Sequence, residues 1–461
     1  MSHKNLDPKF YAYGQFPLYL TFFTTPKHDF KAVALTLRFW SAIFSVLSLF
    51  ILYFIGQKIF KTNKDSFSFL ILLIFTPGLI QLSHFGTTES ILLFVFSVNI
   101  FLSFKIYDNF KFKHLLLAGL ISGIGLATKI SALILTTPIF LSILFRFIKT
   151  KNKFLPFLLS ILFIFITLII GIIFSPYNLL NFPQFLSSIK YEIGVANGQI
   201  PVFYTRQFIG SLSYLFQLQK IFPYTNGLPI FIFGIFGLCI IFKSWIINHK
   251  SSPYLLLILF SSLIYFIYQG QLFVKWTRFM SPIIFVLPFL AVFILQKIKS
   301  RYLYYILILI SILPGIYFMK IYFNTDIRVM ASDWLNHNIS IDNEILSESG
   351  NVVDIPVFGQ LRVNNFDFYT LDNDVNNLEK LTQSINKSDY IIIPSRRVFK
   401  NQNNSNFLNS QNYYQKLFSG QFGFNLIKTF SNNNSLFLNS ENAEETWSVF
   451  DNPTVRVFKR Q

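Results

Sequence analysis

Ten apolar runs separated by short, lysine-rich loops fill residues 38 to 320, at about 38–57, 67–83, 90–105, 114–128, 131–147, 155–175, 228–243, 254–269, 279–296 and 303–320. Crossing about 30 Å of hydrocarbon takes on the order of 20 mostly apolar residues. A backbone in lipid must also satisfy its own hydrogen bonds, which leaves helices or closed barrels. The pattern therefore predicts a polytopic α-helical membrane protein of about ten transmembrane helices. Composition agrees, with 13% charged residues against about a quarter in a soluble chain. The fourth and fifth runs are nearly continuous through GLATKISALI, so a tight re-entry is expected at Gly125 to Lys129.

The basic residues alternate between loops. Lys58, Lys61 and Lys64; Lys105, Lys111 and Lys113; Arg146, Lys149, Lys151 and Lys153; Lys243 and Lys250; and Lys297, Lys299 and Arg301 mark one set. Excess Lys and Arg in short loops assigns that set to the cytoplasm. The opposite loops, His84–Glu89, Thr128–Ser131, 176–227 and Gly270–Arg278, then face outward, as does everything after residue 321. The location implied is the cell membrane, with an extracytoplasmic C-terminal domain. The net charge of +18 sits in loop clusters that act on topology and anionic lipid, so nucleic-acid binding is excluded. The single cysteine, Cys239, lies inside an apolar run and allows no intrachain disulfide.

Ten spans place the N-terminus outside, yet Lys4, Lys9, Lys27 and Lys31 lie there with no preceding apolar segment. The expectation is that a first transmembrane helix and part of an outer loop precede Met1 in the gene. The aromatic, amphipathic segment Phe10–Leu20 is expected to lie in the outer interface as a helix. The domains read as an interfacial segment 1–37, a membrane domain 38–321 with outer loop 176–227, and a tail 322–461.

That tail holds fifteen of the 21 acidic residues and reads as a small α/β domain. ASDWLNHN, VNNLEKLTQSIN and NYYQKLF suggest helices, while NEILSES, DFYTL, DYIIIPS and GFNLIKTF suggest strands. WSVF and TVRVFK are expected to form a closing hairpin, and NQNNSN and SNNNS to be loops.

The outward loops collect the unusual polar groups. His84 and Glu89 stand five residues apart at the ends of adjacent helices, and an ionisable group at membrane depth is a functional candidate by default. The alternative is a helix N-terminus at Thr88–Glu89. Lys129 is either a site cation or a snorkelling anchor. Arg206, with Glu192 in YEIGVANGQIPVFYTRQF, suits a groove for a phosphate and an apolar chain, or is an ordinary arginine on a surface helix. Lys275 and Arg278, in VKWTRF, could clamp a phosphate or anchor a helix end. No Walker A loop, dinucleotide fingerprint, HExxH or CxxC pair occurs. The histidines lack ligand-like spacing, so no metal site is predicted.

Several segments in order carry a resemblance: KFYAYGQFPLYL (9–20), LRFWSAIFSVLSLFILYFIGQKIF (37–60), QLSHFGTTES (81–90), GIGLATKISALIL (123–135), YTRQFIGSLSYLFQL (204–218), KWTRFMSPI (275–283) and EETWSVFDNPTVRVFK (444–459). Together the chain resembles the lipid-carrier-dependent glycosyltransferases of the GT-C fold, which include protein O-mannosyltransferases, aminoarabinose transferases and bacterial lipopolysaccharide glycosyltransferases. The resemblance implies transfer of a hexose or pentose, with inversion, from a polyprenyl-phosphate donor to a glycan, lipid or protein acceptor on the outer face. No cofactor or metal is required where Arg and Lys neutralise the leaving phosphate. It implies Glu89 as a second active-site acid with His84 beside it, and Lys129, Arg206, Lys275 and Arg278 as binding residues for lipid phosphate and substrate. In similar enzymes the base is an acid in the first outer loop, and here only Asp7 precedes the matching segment. The rival classes are a transporter or flippase, which favours broken helices near the midplane, and a membrane scaffold that displays the tail.

Overall fold

A computed structural model describes residues 6–148, 154–248, 252–349, 354–356, 359–402, 405–432 and 436–461. The basic residues expected at 4, 149–153 and 250 lie outside them. The chain divides into two compact units, one of residues 1–197 with 213–316 and one of 198–212 with 317–461. Part of the outer loop 176–227 thus folds with the C-terminal residues.

The first unit is helical throughout, and each predicted apolar run forms helix. Among the described residues, seven helices are long and apolar enough to cross a membrane: Phe30–Ile59, Glu89–Asp108, Ile130–Phe147, Phe154–Phe174, Leu228–Ile247, Pro253–Gly270 and Arg301–Phe323. The protein is a polytopic helical membrane protein. Two further spans arise as bent pairs, Asn63–Ile74 with Pro77–His84 at 56° and Thr277–Ile283 with Val286–Leu295 at 53°. The first bend falls where Pro77 opens the second helix, because proline lacks the N–H needed to continue a helix. Among the described residues these make seven to nine spans against the expected ten or so, and Phe112–Leu126 is a shorter apolar helix of 15 residues. The re-entry after it is present, as Ile130–Thr136 begins in 3-10 geometry directly beyond Lys129.

Apolar side chains gain little by leaving lipid for one another, so close backbone approach at small residues holds such helices together. On the short helix, Gly119 and Gly123 sit against Ile166 and Ile170 of Phe154–Phe174, where an added Cβ would come within 2.4 and 2.5 Å of the isoleucine side chains.

The N-terminal segment departs from the expected interfacial helix. Only Phe16–Thr24 is helical, with proline in its first turn. Residues 10–15 are non-helical, and Tyr11, Gly14 and Gln15 are buried. The buried backbone bonds to neighbouring loops instead: Gly14 N–H to Thr128 O at 2.9 Å and Phe16 N–H to Ala127 O at 3.0 Å.

The second unit carries a five-stranded mixed sheet. Its strands are β1 (Glu344–Glu348), β2 (Arg362–Phe366), β3 (Tyr390–Ile393), β4 (Phe424–Phe430) and β5 (Val455–Arg460), in the order β2-β1-β3-β5-β4. β1 runs parallel to β2 and β3, whereas β5 is antiparallel to both β3 and β4. The helices Ile327–Asn338, Val375–Lys387 and Leu408–Phe418 are where the sequence places them. Three expectations are corrected. DFYTL is a 3-10 turn because the Asp367 carboxylate accepts from Tyr369 N–H and caps it; the strand is the preceding, mostly polar RVNNF. WSVF forms a helical turn, and β5 pairs with β3 and β4. Asn401 and Gln402 of the presumed loop NQNNSN end a helix that starts at Arg397; residues 433–435 of SNNNS lie outside the described residues.

A buried charged cluster stitches this unit together. Arg397 donates to Glu445 at 2.9 Å, and the Gln207 amide donates to Glu444 at 2.9 Å and to Glu445 at 3.3 Å. Arg396, 1% exposed, donates to the carbonyls of Ala443 and Glu444. Burial pushes the Glu445 carboxyl up to about 7, against the pull of Arg397 and with the help of Glu444. A folded carboxyl that holds its proton more tightly than the unfolded one stabilises the fold fully below its ordinary value of 4.5 and loses that contribution as pH rises through about 7. The loss amounts to about 3 kcal/mol. Thermal unfolding of the full-length protein in detergent should show the second unit's midpoint falling across this window. Glu445→Gln should flatten the fall, and an equally steep fall in the variant would reject Glu445 as its source.

Candidate functional site

The first unit gathers the chemistry at one place. Glu89 opens the helix Glu89–Asp108 and is 2% exposed. The reading of Thr88–Glu89 as a plain helix cap is only half met: Glu89 occupies the first turn, but the Thr88 hydroxyl is buried without a capping bond. The Lys129 ammonium stands 3.8 Å from Glu89, over the rings of Phe279 at 5.0 Å and Tyr13 at 5.4 Å. Arg278 packs its guanidinium over Trp276 at 4.4 Å and reaches the Tyr13 hydroxyl at 3.4 Å. Its charge acts on both Glu89 and Lys129.

Each member is positioned by backbone. Lys129 follows the turn whose Ala127 and Thr128 carbonyls accept from the N-terminal segment. That docking needs glycine at position 14, because a Cβ there would lie 2.0 Å from the Ala127 oxygen. Arg278 sits in the turn Thr277–Ile283, held by a hydrogen bond of 2.7 Å from the Tyr265 hydroxyl to the Phe279 carbonyl. The preceding loop is tied to the helix Phe182–Ala196 by Val274 N–H to Ala196 O at 3.2 Å. That helix brings the exposed Glu192 within electrostatic reach of Lys129 and Tyr13.

Of the six residues singled out in the sequence, Glu89, Lys129 and Arg278 therefore meet. His84 is exposed at the end of Pro77–His84, with Nδ1 at 2.8 Å from the Ile80 carbonyl. Lys275 is buried and donates to the Phe273 carbonyl two residues back. Arg206 belongs to the second unit, where it stacks over Phe407 at 4.1 Å; burial lowers its pKa against the charges of Asp372 and Asp367. The sequence did not single out Tyr13, whose only signal was its place in FYAYG.

The Asp7 carboxylate is already engaged by its neighbours. It accepts from Lys9 N–H, the Tyr11 hydroxyl at 2.8 Å and the Asn181 amide at 2.6 Å. Burial raises its pKa, but these bonds and the Lys9 charge outweigh it and hold the carboxyl below its ordinary value. Among the described residues, no group of three or more His, Cys, Asp or Glu side chains could hold a metal ion.

The arrangement is a buried carboxylate beside two cations, lined by aromatic rings. Lys129 and Arg278 face the buried Glu89 and the exposed Glu192, and Arg278 Nε has no hydrogen-bond partner among the described residues. Such a place attracts an anion.

Residues 29–171, which hold Glu89 and Lys129, match the family model described as dolichyl-phosphate-mannose-protein mannosyltransferase. The chain resembles the GT-C lipid-carrier-dependent glycosyltransferases. Two solved structures of ArnT from Cupriavidus metallidurans are also similar, one in the apo state and one bound to undecaprenyl phosphate. Each is 12% identical, with 97% of this chain and 88% of theirs covered, at TM-scores of 0.42 and 0.43. No curated protein matches the chain.

Gly14→Ala tests the docking that places Lys129. The added methyl should displace the segment from Ala127 and Thr128 and cost about 1–3 kcal/mol. The expected readout is a lower thermal midpoint of the detergent-purified protein. An unchanged midpoint would mean that residues 10–16 do not pack there.

Proposed function

We propose that the protein is an integral-membrane glycosyltransferase that moves a hexose or pentose from a polyprenyl-phosphate donor to an acceptor hydroxyl on the outer face of the membrane. The observation that carries this reading is the cluster of Glu89, Lys129 and Arg278 within one unit of a polytopic bundle. The family match over residues 29–171 supports it. So does the lysine alternation, because the loops that hold these three residues all fall in its outward set.

In this reading Arg278 and Lys129 bind the lipid-linked phosphate and hold the negative charge that grows on it as the anomeric carbon–oxygen bond breaks. The acceptor oxygen attacks the opposite face of that carbon, so a single displacement inverts the configuration. The hydroxyl proton passes to a carboxylate. Glu89 is the best-placed acceptor. Among the described acids of the first unit only Glu89 and Asp65 are buried. Asp65 is occupied by Thr62, Gln296 and Tyr304, whereas Glu89 Oε1, ion-paired with Lys129 at 3.8 Å, accepts no hydrogen bond among the described residues. A phosphomonoester leaves without a protonated acid, which is why one carboxylate is enough, unlike the pair in most glycosidases.

A transporter would use its broken helices to set charges at their breaks. Here the breaks, at Phe75–Thr76 and at Ile284–Phe285, hold no ionisable residue, and the charges sit elsewhere.

The test is turnover of polyprenyl-phosphate sugars by the purified protein in lipid with a membrane extract as acceptor source. Glu89→Gln should lower kcat by about 10²-fold or more with little change in donor KM. Arg278→Ala and Lys129→Ala should each raise donor KM by about tenfold or more. A wild-type protein that neither binds nor consumes any polyprenyl-phosphate hexose or pentose would reject the reading.

A further inference from the structure

A cavity of about 520 Å³ opens in the second unit, and its lining includes Asn432, Phe437, Asn439, Glu441, Asn452 and Thr454. Its chemistry is that of amides and hydroxyls, groups that donate and accept at once. The one carboxylate is neutralised in place: Arg456 donates to Glu441 at 2.6 Å and Thr454 at 3.0 Å. Among the described lining residues an anion would meet no spare positive charge, and a cation no unpaired carboxylate. One detail points to a ligand. Asn452 is 7% exposed, yet its side-chain carbonyl has no hydrogen-bond donor among the described residues. A buried acceptor without a donor is unfavourable and rare in a native fold. Phe437 also lines the cavity and stands 46% exposed; Phe418 and Phe323 are exposed elsewhere in the unit.

An exposed aromatic face beside neutral amides and hydroxyls matches a sugar ring, which offers a C–H face for the ring and hydroxyls for the amides. We infer that this cavity binds a neutral saccharide, with Asn452 accepting from a sugar hydroxyl and Phe437 covering the ring. Its role as the docking site for a glycan acceptor rests on the transferase reading above; the binding itself does not.

The experiment uses the full-length protein in detergent with maltotriose, mannotriose and chitotriose as probes, read by saturation-transfer NMR. Transfer to at least one trisaccharide is expected, and Asn452→Leu should weaken that binding about tenfold. Because Asn452 Oδ1 has no partner to lose, the thermal midpoint should hold. If Asn452→Leu fails to fold, Phe437→Ala, at an exposed position, carries the same test with the same expected loss. No transfer to any trisaccharide, or binding unchanged in the variants, would overturn the inference. Glycan-directed transfer with an unaltered acceptor KM in both variants would overturn it too, and would leave the transferase reading standing. Saccharide binding by a chain that consumes no polyprenyl-phosphate sugar would sink that reading and keep the site.

Discussion

A carboxylate that is 2% exposed within an apolar bundle is tolerable only with compensating charge, since an isolated ion in a low-dielectric interior costs several kcal/mol even after relaxation. Glu89 has that compensation from Lys129 and Arg278, and the architecture around it exists to keep them there. Lys129 stays because the turn before it is bonded to the N-terminal segment at Gly14 and Phe16. Arg278 stays because Tyr265, from the helix Pro253–Gly270, holds the Phe279 carbonyl. Four stretches far apart in sequence are thus committed to one ion pair and its neighbour. Arg278 Nε, which has no hydrogen-bond partner among the described residues, is then the donor left open to an anionic ligand.

The apolar spans themselves contribute shape more than chemistry. Their lipid-facing sides are rich in exposed Phe, Leu and Ile, and specificity comes from where backbones touch. Gly237 admits the Leu290 carbonyl at a point where a Cβ would lie 1.9 Å away, and Gly315 does the same for the Phe75 carbonyl. The second contact braces the helix Arg301–Phe323 against the bend that precedes Pro77. The bent pair is therefore supported from outside, which lets Pro77–His84 end where Glu89 must begin.

Helix existence was legible because ten apolar runs leave little else for the backbone to do in lipid. Where a span bends or stops was not, because hydropathy does not report where Leu126 ends a helix or where Pro77 bends one. Glu89, Lys129 and Arg278 stood out as ions at the ends of apolar runs, and the lysine alternation grouped their loops. Tyr13 did not stand out, since a tyrosine in an aromatic segment carries no signal of its own partner. Helix and strand in the tail followed periodicity, and the errors fell where a side chain overrode it. Asp367 caps a turn inside DFYTL, and Thr446 N–H bonds to Glu444 Oε1 at 3.1 Å as WSVF turns helical.

That last local choice has a consequence for assembly. EETW looked like a closing motif of a strand pair, yet its two glutamates bind Gln207, more than 230 residues earlier in the chain. Gln207 N–H in turn donates to Asn401 Oδ1 at 3.1 Å, so a short excursion from the middle of the chain is clasped by two separate parts of the tail. The second unit cannot complete its buried charge network until the last spans have been made and residues 444–445 have emerged. Arg397 would otherwise sit in an apolar setting with Glu445 absent, a cost of the kind that opposes early closure. Contacts of such sequence separation form late, because the entropy of closing the loop precedes any gain from them. The Gln207 clasp thereby orders folding: helices first, from local bonds, and the α/β unit last, once both of its distant pieces are present.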